Sequence, residues 1–295
     1  MPSDAAERWR QARTFHHLRF PAERLAAERT RSVSVCLPSR ECAASVGAIV
    51  AELEALRAAD VIDEVVVVDA ASADGTAAIA ERAGARVVQE AELLSDLGPV
   101  LGKGDAMWRA LSVLGGELVC FLDADTEGFS AHFATGLLGP LICEQDVAFV
   151  KGFYRRPIAG AGGVESDDGG RVNHLLARPA LELFYPDLAA VRQPLAGEIA
   201  ARRDLLESVP FATGYGVEIA ILIDVWRRIG LDRIAQVDLD EHRNAHQSLA
   251  QLAPMALTVL ATIARRLEQE GRLQGIADPT AAPAERPPLA ALEPA

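Results

Sequence analysis

Leu118-Val119-Cys120-Phe121-Leu122-Asp123-Ala124-Asp125 is the stretch on which the fold turns. Its five apolar residues read as a buried strand, and the chain becomes polar at the strand's end with two carboxylates two positions apart. The same pattern recurs upstream. Residues 32–37 form a β-rich apolar run closed by Pro38, residues 64–68 form a second closed by Asp69, and residues 85–88 form a third. Between them, residues 44–58 carry Val46, Ile49, Val50, Leu53 and Leu56 at helical spacing, and residues 76–83 and 104–114 also read as helices. Strands alternating with helices imply βαβ units and a mostly parallel sheet. In such sheets ligands bind beyond the carboxyl ends of the strands, where the strand order switches. Pro38, Asp69 and Asp123 are therefore expected to converge on one crevice.

Past residue 145 the pattern is mixed. A strand is expected over residues 147–154, a glycine-containing polar loop over 165–170 and a helix over 172–183. A strongly apolar helix at 216–229, a strand at 234–239 and a closing amphipathic helix at 249–267 follow. This divides the chain into an N-terminal extension (1–31, with a short helix at 21–31), an α/β region (32–145), a closing region of the same domain (146–268), and a tail (269–295). From residue 277 the tail is rich in Ala and Pro without periodicity and is expected to be disordered.

Composition sets limits on function. The 295 residues are 50% hydrophobic, enough for one large core. A formal net charge of −13 argues against a nucleic-acid partner, although a local pocket can still be cationic. The four cysteines, Cys36, Cys42, Cys120 and Cys143, form no CxxC pair, which argues against a zinc site. Three of them lie in apolar runs as core thiols, and this usage fits a cytoplasmic protein. No signal segment or membrane-length apolar run is seen.

Several constellations could carry chemistry. At a strand tip, Asp123 and Asp125 can divide the work on a diphosphate, one meeting a ribose hydroxyl and the other holding a divalent cation that bridges the phosphates. The same pair could equally cap a helix. Gly102-Lys103-Gly104 opens a helix, where backbone N–H groups and an ammonium favour an anion, though the P-loop spacing is absent. Gly169-Gly170-Arg171-Val172-Asn173 can form an anion-binding concavity with a guanidinium beside it, or a plain surface turn. His242, in His242-Arg243-Asn244, could ligate Mn²⁺ or Mg²⁺ beside carboxylates. Glu218, in Tyr215-Gly216-Val217-Glu218, is an acid in apolar surroundings suited to sugar hydroxyls, or a helix N-terminal carboxylate. Lys151, Arg155 and Arg156 read as a solvated basic face or as helpers of a phosphate site.

Taken together, these segments resemble the actinobacterial glucosyl-3-phosphoglycerate synthases and the related mannosyl-3-phosphoglycerate synthases. The resemblance rests on GKGDAMW (102–108), FLDAD (121–125), KGFYRRP (151–157), GGRVNHLLARP (169–179), QPLAGE (193–198), PFATGYGVEI (210–219), IAQVDL (234–239) and HRN (242–244), in one order across about residues 32–265. It implies a GT-A fold and a metal-dependent, retaining hexose transfer from a nucleotide sugar to the 2-hydroxyl of 3-phosphoglycerate by a homodimer. UDP-glucose is the favoured donor and GDP-mannose the alternative. Asp123 and Ala124 would lie against the donor nucleotide, Asp125 and His242 would hold Mg²⁺ or Mn²⁺, and Lys103 would sit near the diphosphate. Pro38, Ser39, Arg40, Glu41 and Cys42, with Ala70, would line the nucleoside site. Tyr215 and Glu218 would face the donor sugar, and Gly169, Gly170, Arg171, Asn173 and Asn244 would hold the acceptor. Asp125, Lys103 and Glu218 are the expected catalytic groups.

The chain departs from the family pattern at PSRECA (38–43), where an Asn-Glu-Glu run is usual, and at Ala70 and Ala71, where Ser and Gly are usual. Both departures touch the nucleoside pocket and leave the donor base open. A sugar-phosphate nucleotidyltransferase, a membrane-bound polymer-building glycosyltransferase and a catalytically silent nucleotide-sugar-binding protein are the competing readings.

Overall fold

The computed structural model describes residues 4–159, 165–166, 170–243, 248–275 and 282–292. Its strands are β1 (Thr14–His16), β2 (Val33–Ser39), β3 (Glu64–Asp69), β4 (Arg86–Gln89), β5 (Leu118–Phe121), β6 (Phe149–Arg155), β7 (Ile158–Ala159), β8 (Glu165–Ser166), β9 (Ile199–Arg202), β10 (Phe211–Ala212), β11 (Ile234–Glu241) and β12 (Glu285–Arg286). Eight of them build one sheet in the order β1-β11-β6-β9-β5-β2-β3-β4. Its neighbours are parallel except at β9, which runs antiparallel to both β5 and β6. From β2 the chain proceeds outward through β3 to β4, then returns to place β5 on the other side of β2. The order therefore switches between β2 and β5, and the crevice lies beyond their carboxyl ends.

The helices are α1 (Asp4–Arg13), α2 (Ala22–Glu28), α3 (Val46–Ala58), α4 (Thr76–Ala83), α5 (Lys103–Ala110), α6 (His132–Cys143), α7 (Arg178–Phe184), α8 (Arg203–Glu207), α9 (Val217–Ile229) and α10 (Leu249–Gln269). They cover both faces of the sheet, and the period-two geometry of the strands divides the core accordingly. Val65 and Val67 of β3 pack with α3, α4 and α6, whereas Val66 and Val68 pack with α5, α9 and α10. Burial on both faces explains why these strands are continuous apolar runs rather than alternating ones. This is the α/β sheet with helices on both faces expected for a GT-A fold. Among the described residues, no helix is long and apolar enough to cross a membrane.

Two expectations are corrected. The N-terminal residues are no mere extension with one helix at 21–31: the helix there is Ala22–Glu28, while β1 pairs with β11 and the buried Trp9 donates Nε1–H to Ile234 O at 2.8 Å. The tail is not disordered throughout. Residues 282–292 are fixed to the body, with β12 pairing against β10 and Trp108 Nε1 donating to Pro287 O at 2.9 Å. Strand periodicity fails to flag a segment this short and proline-rich because tertiary partners, not local propensity, hold it. The central strand β9 and the helices α1 and α6 also lay outside the sequence-based assignment.

Replacing Trp9 by Ala empties a buried site and strands the Ile234 carbonyl. The expected cost is about 3–5 kcal/mol, measured as a lowered urea midpoint. An unchanged midpoint would show that the N-terminal residues contribute nothing to the folded unit.

Candidate active site

The crevice is built from the first turn of α5, the end of β5, the start of β9 and the first turn of α9. Lys103 Nζ lies 2.6 Å from Asp123 Oδ1 and 3.1 Å from Glu218 Oε1. Burial alone would lower the lysine pKa, but Asp123, Glu218 and Glu198 outweigh it and hold the ammonium charged well above its ordinary value. Such close approach needs two glycines. A Cβ at Gly104 would lie 1.9 Å from Ala212 O, and one at Gly197 would lie 2.6 Å from both Asp123 carboxylate oxygens and 2.7 Å from Lys103 Nζ.

Behind this ion cluster is a buried polar network. Tyr154 donates its hydroxyl to Glu198 Oε2 at 2.7 Å, and His242 Nε2 lies 3.1 Å from both Glu198 Oε1 and Thr126 Oγ1. Burial opposes ionisation of Glu198, yet the His242 and Tyr154 contacts prevail and draw its pKa down to about 2. Burial likewise opposes the His242 charge, and Glu198 raises its pKa. A bulge delivers His242 to the crevice: the pairing of β11 with β6 shifts register between Asp238 and Glu241, and Asp240 takes a φ of 64°. The Asp240 carboxylate is anchored by His17 Nε2 at 2.6 Å and His16 Nε2 at 3.2 Å.

Asp125 feels the charges of Asp123, Lys103 and His242 but, contrary to expectation, is not in the group of potential metal ligands that the described residues bring together. Burial and the neighbouring Asp123 raise its pKa, while Lys103 and His242 pull it down. Ligand atoms of Asp123, Glu198 and His242 lie within 4.8 Å of one another. His242 Nδ1 is buried without a hydrogen-bond partner among the described residues, and Glu198 Oε1 has only the His242 Nε2 contact. An imidazole and two carboxylates grouped this closely are donor types a divalent cation takes, so the donor set fits a divalent metal.

Glu198 is the site residue that sequence reasoning missed. Its signal was present as the lone acid at the end of QPLAGE, entering an apolar run. Lys151 also departs from expectation. It is no solvated basic residue but is 1% exposed, with Nζ donating to Ala196 O at 2.7 Å. Burial pushes its pKa down to about 8 against the pull of Glu218 and Glu198.

The expected nucleoside loop lies beyond β2 and β3. Ala70 N–H donates to Ser39 O at 3.0 Å, closing the two strand ends together. Asp69 turns inward, where Oδ2 accepts Ser72 N–H at 3.0 Å and Gln89 Nε2–H at 3.1 Å. Glu41 adopts a φ of 53° and spends its carboxylate on Ala73 N–H at 2.9 Å. Cys42 is buried, with N–H donating to Thr76 Oγ1 at 2.8 Å and its thiol pushed up to about 11 by burial. Arg40 is exposed, Pro38 partly so, and Ala124 O accepts Ser45 Oγ–H at 2.6 Å.

Of the acceptor set, Gly170 takes a φ of 73°, and Arg171 and Asn173 open the helical turn after it. Asn173 is buried. Its Nδ2 donates to Arg192 O at 3.2 Å, and its Oδ1 lacks a hydrogen-bond partner among the described residues. Arg156 Cδ would lie 3.9 Å from a Cβ at Gly170, which puts the second arginine of KGFYRRP beside this turn. Tyr215 is 58% exposed at the mouth of α9. Gly169 and Asn244 lie outside the described residues.

A parallel sheet with one reversed strand, and carboxylates and a lysine gathered at its switch point, define a nucleotide-sugar glycosyltransferase. Residues 34–130 match the Glycosyl transferase family 2 model. The chain belongs to the glucosyl-3-phosphoglycerate synthase family. It is 41% identical over 281 residues to the enzyme of that name from Mycolicibacterium smegmatis, covering 91% of this chain and 92% of that one. The Petrotoga mobilis enzyme is 38% identical, with 88% and 82% covered. Among solved structures, mannosyl-3-phosphoglycerate synthase from Rubrobacter xylanophilus superposes with a TM-score of 0.89 at 44% identity, covering 96% of this chain and 98% of that one. Glucosyl-3-phosphoglycerate synthase from Mycobacterium tuberculosis, in complex with Mn²⁺, UDP and glucosyl-3-phosphoglycerate, superposes with a TM-score of 0.79 at 36% identity, covering 92% and 95%.

A methyl group at position 197 would wedge between Lys103 and Asp123. Gly197→Ala should leave the circular dichroism spectrum intact and lower turnover by at least about tenfold, the loss of one charge-assisted contact. Turnover equal to wild type would show that this close approach does not matter.

Proposed function

We propose that the protein transfers glucose from UDP-glucose to the 2-hydroxyl of 3-phosphoglycerate with retention of anomeric configuration. The observation that carries this reading is the Lys103 ammonium, held between Asp123 and Glu218 at the cation-suited group of Asp123, Glu198 and His242. Asp125 and His242 would hold Mg²⁺ or Mn²⁺, which supplies Lewis-acid neutralisation of the departing diphosphate. Asp123 and Ala124 meet the donor nucleotide, and Pro38, Ser39, Arg40, Glu41, Cys42 and Ala70 border its nucleoside. Glu41 acts there through the loop it fixes, since its carboxylate is already engaged by Ala73.

Lys103 sets a fixed positive charge where negative charge develops on the leaving group. Glu218 and Tyr215 orient the hexose. Gly170, Arg171 and Asn173, joined by Gly169 and Asn244, hold the phosphoglycerate so that its hydroxyl approaches from the face the diphosphate leaves. The C1–O bond to the diphosphate breaks, the new C1–O bond to the acceptor forms, and the acceptor proton passes to the departing phosphate oxygen. No protein nucleophile is needed, so catalysis is positioning and electrostatic stabilisation. The buried free thiols Cys36, Cys42 and Cys120 suit a reducing cytoplasm.

GDP-mannose is a second donor reading, favoured by the likeness to the Rubrobacter mannosyl-3-phosphoglycerate synthase and by the small Ala70 at the end of β3.

Incubation with UDP-glucose, 3-phosphoglycerate and Mn²⁺ should release UDP and a glucosylated phosphoglycerate. Release of pyrophosphate, or no turnover with either nucleotide sugar, would reject the reading. Asp125→Ala should abolish metal-dependent turnover, and full activity at saturating Mn²⁺ would remove Asp125 from the ligand set. Arg171→Ala should raise the acceptor KM by roughly 10–100-fold, the loss of a charge-assisted hydrogen bond. An unchanged acceptor KM would displace Arg171 from that site.

A further inference from the structure

The chain enters Gly102-Lys103-Gly104 from residues 93–101, which contain one short 3₁₀ turn at Ser95–Leu97 and otherwise no regular structure. Two guanidiniums hold this loop by its carbonyls. Arg109, fully buried, donates to the oxygens of Leu93 (2.5 Å), Leu94 (2.9 Å), Gly98 (2.8 Å) and Pro99 (3.3 Å). Arg286 donates to Leu97 O at 3.1 Å and Pro99 O at 3.4 Å.

Both guanidiniums meet at one buried carboxylate, Asp105. Arg109 Nε reaches its Oδ1 at 3.2 Å, and Arg286 grips it with two bonds, Nε to Oδ1 and Nη2 to Oδ2, each 2.8 Å. Asp105 Oδ2 also accepts Leu101 N–H at 2.9 Å. Asp105 lies two residues past Lys103, so the clamp fixes the helix turn that carries the lysine.

Arg286 belongs to the segment 282–292, which is tied down along its length. Ala284 O accepts both N–H and Oγ–H of Thr213 at 2.9 Å. Arg265 Nη1 donates to Pro283 O at 2.8 Å, Arg266 pairs with Glu285, and the Arg286 guanidinium lies over the Trp108 ring at 5.5 Å. Thr213 O in turn accepts Asp105 N–H at 3.3 Å. The turn from β10 to Glu218 is thus bonded to α5 on one side and to the C-terminal segment on the other.

We propose that residues 282–292 act as a strap that sets the donor site, and that Arg286 is a positioning residue for Lys103 and Glu218. The proposal rests on the reading of these two side chains as donor-site groups. Without Arg286, Asp105 keeps Arg109, but the carbonyls of Leu97 and Pro99 lose a partner and the approach to Lys103 loosens. The donor must then order the loop as it binds, so the penalty falls on donor affinity. The strap's bonds run to Thr213, Arg265, Arg266, Trp108 and Asp105, on the donor side of the crevice, so the effect should fall on donor rather than acceptor binding.

The test is steady-state kinetics of full-length Arg286→Met with UDP-glucose, 3-phosphoglycerate and Mn²⁺. The donor KM should rise about tenfold, with the acceptor KM within about twofold of wild type. Arg286→Lys should restore the donor KM only in part, because an ammonium cannot reproduce the two-pronged grip. Mere destabilisation would lower the active fraction and leave both KM values alone; that pattern, or a parallel change in the two KM values, overturns the proposal. Should Arg286→Met fail to fold, hydrogen exchange of the wild-type chain decides: UDP-glucose with Mn²⁺ should slow exchange in residues 97–104 and 283–289 together, and protection confined to 97–104 overturns the strap. Lys103→Met separates the two levels. If it raises the donor KM and Arg286→Met does not, only the strap falls. If neither variant changes it, the donor-site reading falls and takes the strap with it.

Discussion

One ammonium group organises the crevice. Lys103 Nζ sits between carboxylates from two distant segments, Asp123 at the end of β5 and Glu218 in the first turn of α9. Three charged groups this close, in a partly desolvated site, stay in place only if the surrounding backbone forbids relaxation. Gly104 and Gly197 provide that constraint by letting two backbone segments press against the cluster where any side chain would collide. The cluster carries one positive and two negative charges before any ligand arrives. A diphosphate entering here would need compensating positive charge, so under the proposed function the binding of nucleotide sugar and divalent cation would be linked.

The residues packed behind this cluster explain how a histidine far along the chain reaches the same point. Asp240 stands in a left-handed conformation at a bulge, held by two histidines of the N-terminal segment, and His242 follows two residues later. Glu198 and Tyr154 then fix the imidazole from behind. A carboxylate and an imidazole buried together are costly unless each finds partners. Tyr154, Thr126 and the ion pair between Glu198 and His242 meet most of that cost, and the His242 Nδ1 atom is left without a hydrogen-bond partner among the described residues.

Much of this could be read from residue order. The apolar runs ending at Pro38, Asp69 and Asp123 became β2, β3 and β5, because parallel strands buried on both faces need long unbroken hydrophobic stretches. Lys103, Asp123 and Glu218 were singled out as polar groups at strand ends and helix starts, and they meet. What escaped notice depends on tertiary partners. β9 spans only Ile199–Arg202 and is a strand because β5 and β6 flank it. Glu198 looked like one acid among many until His242 and Tyr154 closed on it. The C-terminal segment has too many prolines to announce itself, and its order comes from Thr213, Trp108 and Asp105. The inward turn of Asp69 and the engaged Glu41 carboxylate show the opposite limit, since a polar residue at a strand tip can serve the loop rather than the ligand.

The edge of the sheet has a consequence for how the molecule is made. Thr14 stands opposite Gln236, so β1 waits for a partner that is synthesised more than two hundred residues later. The reversed strand β9 imposes a similar delay at the centre, because β5 cannot be joined to β6 until residues 199–202 exist. Pairings this far apart in sequence favour slow, late assembly of the sheet and leave strand edges open while they wait.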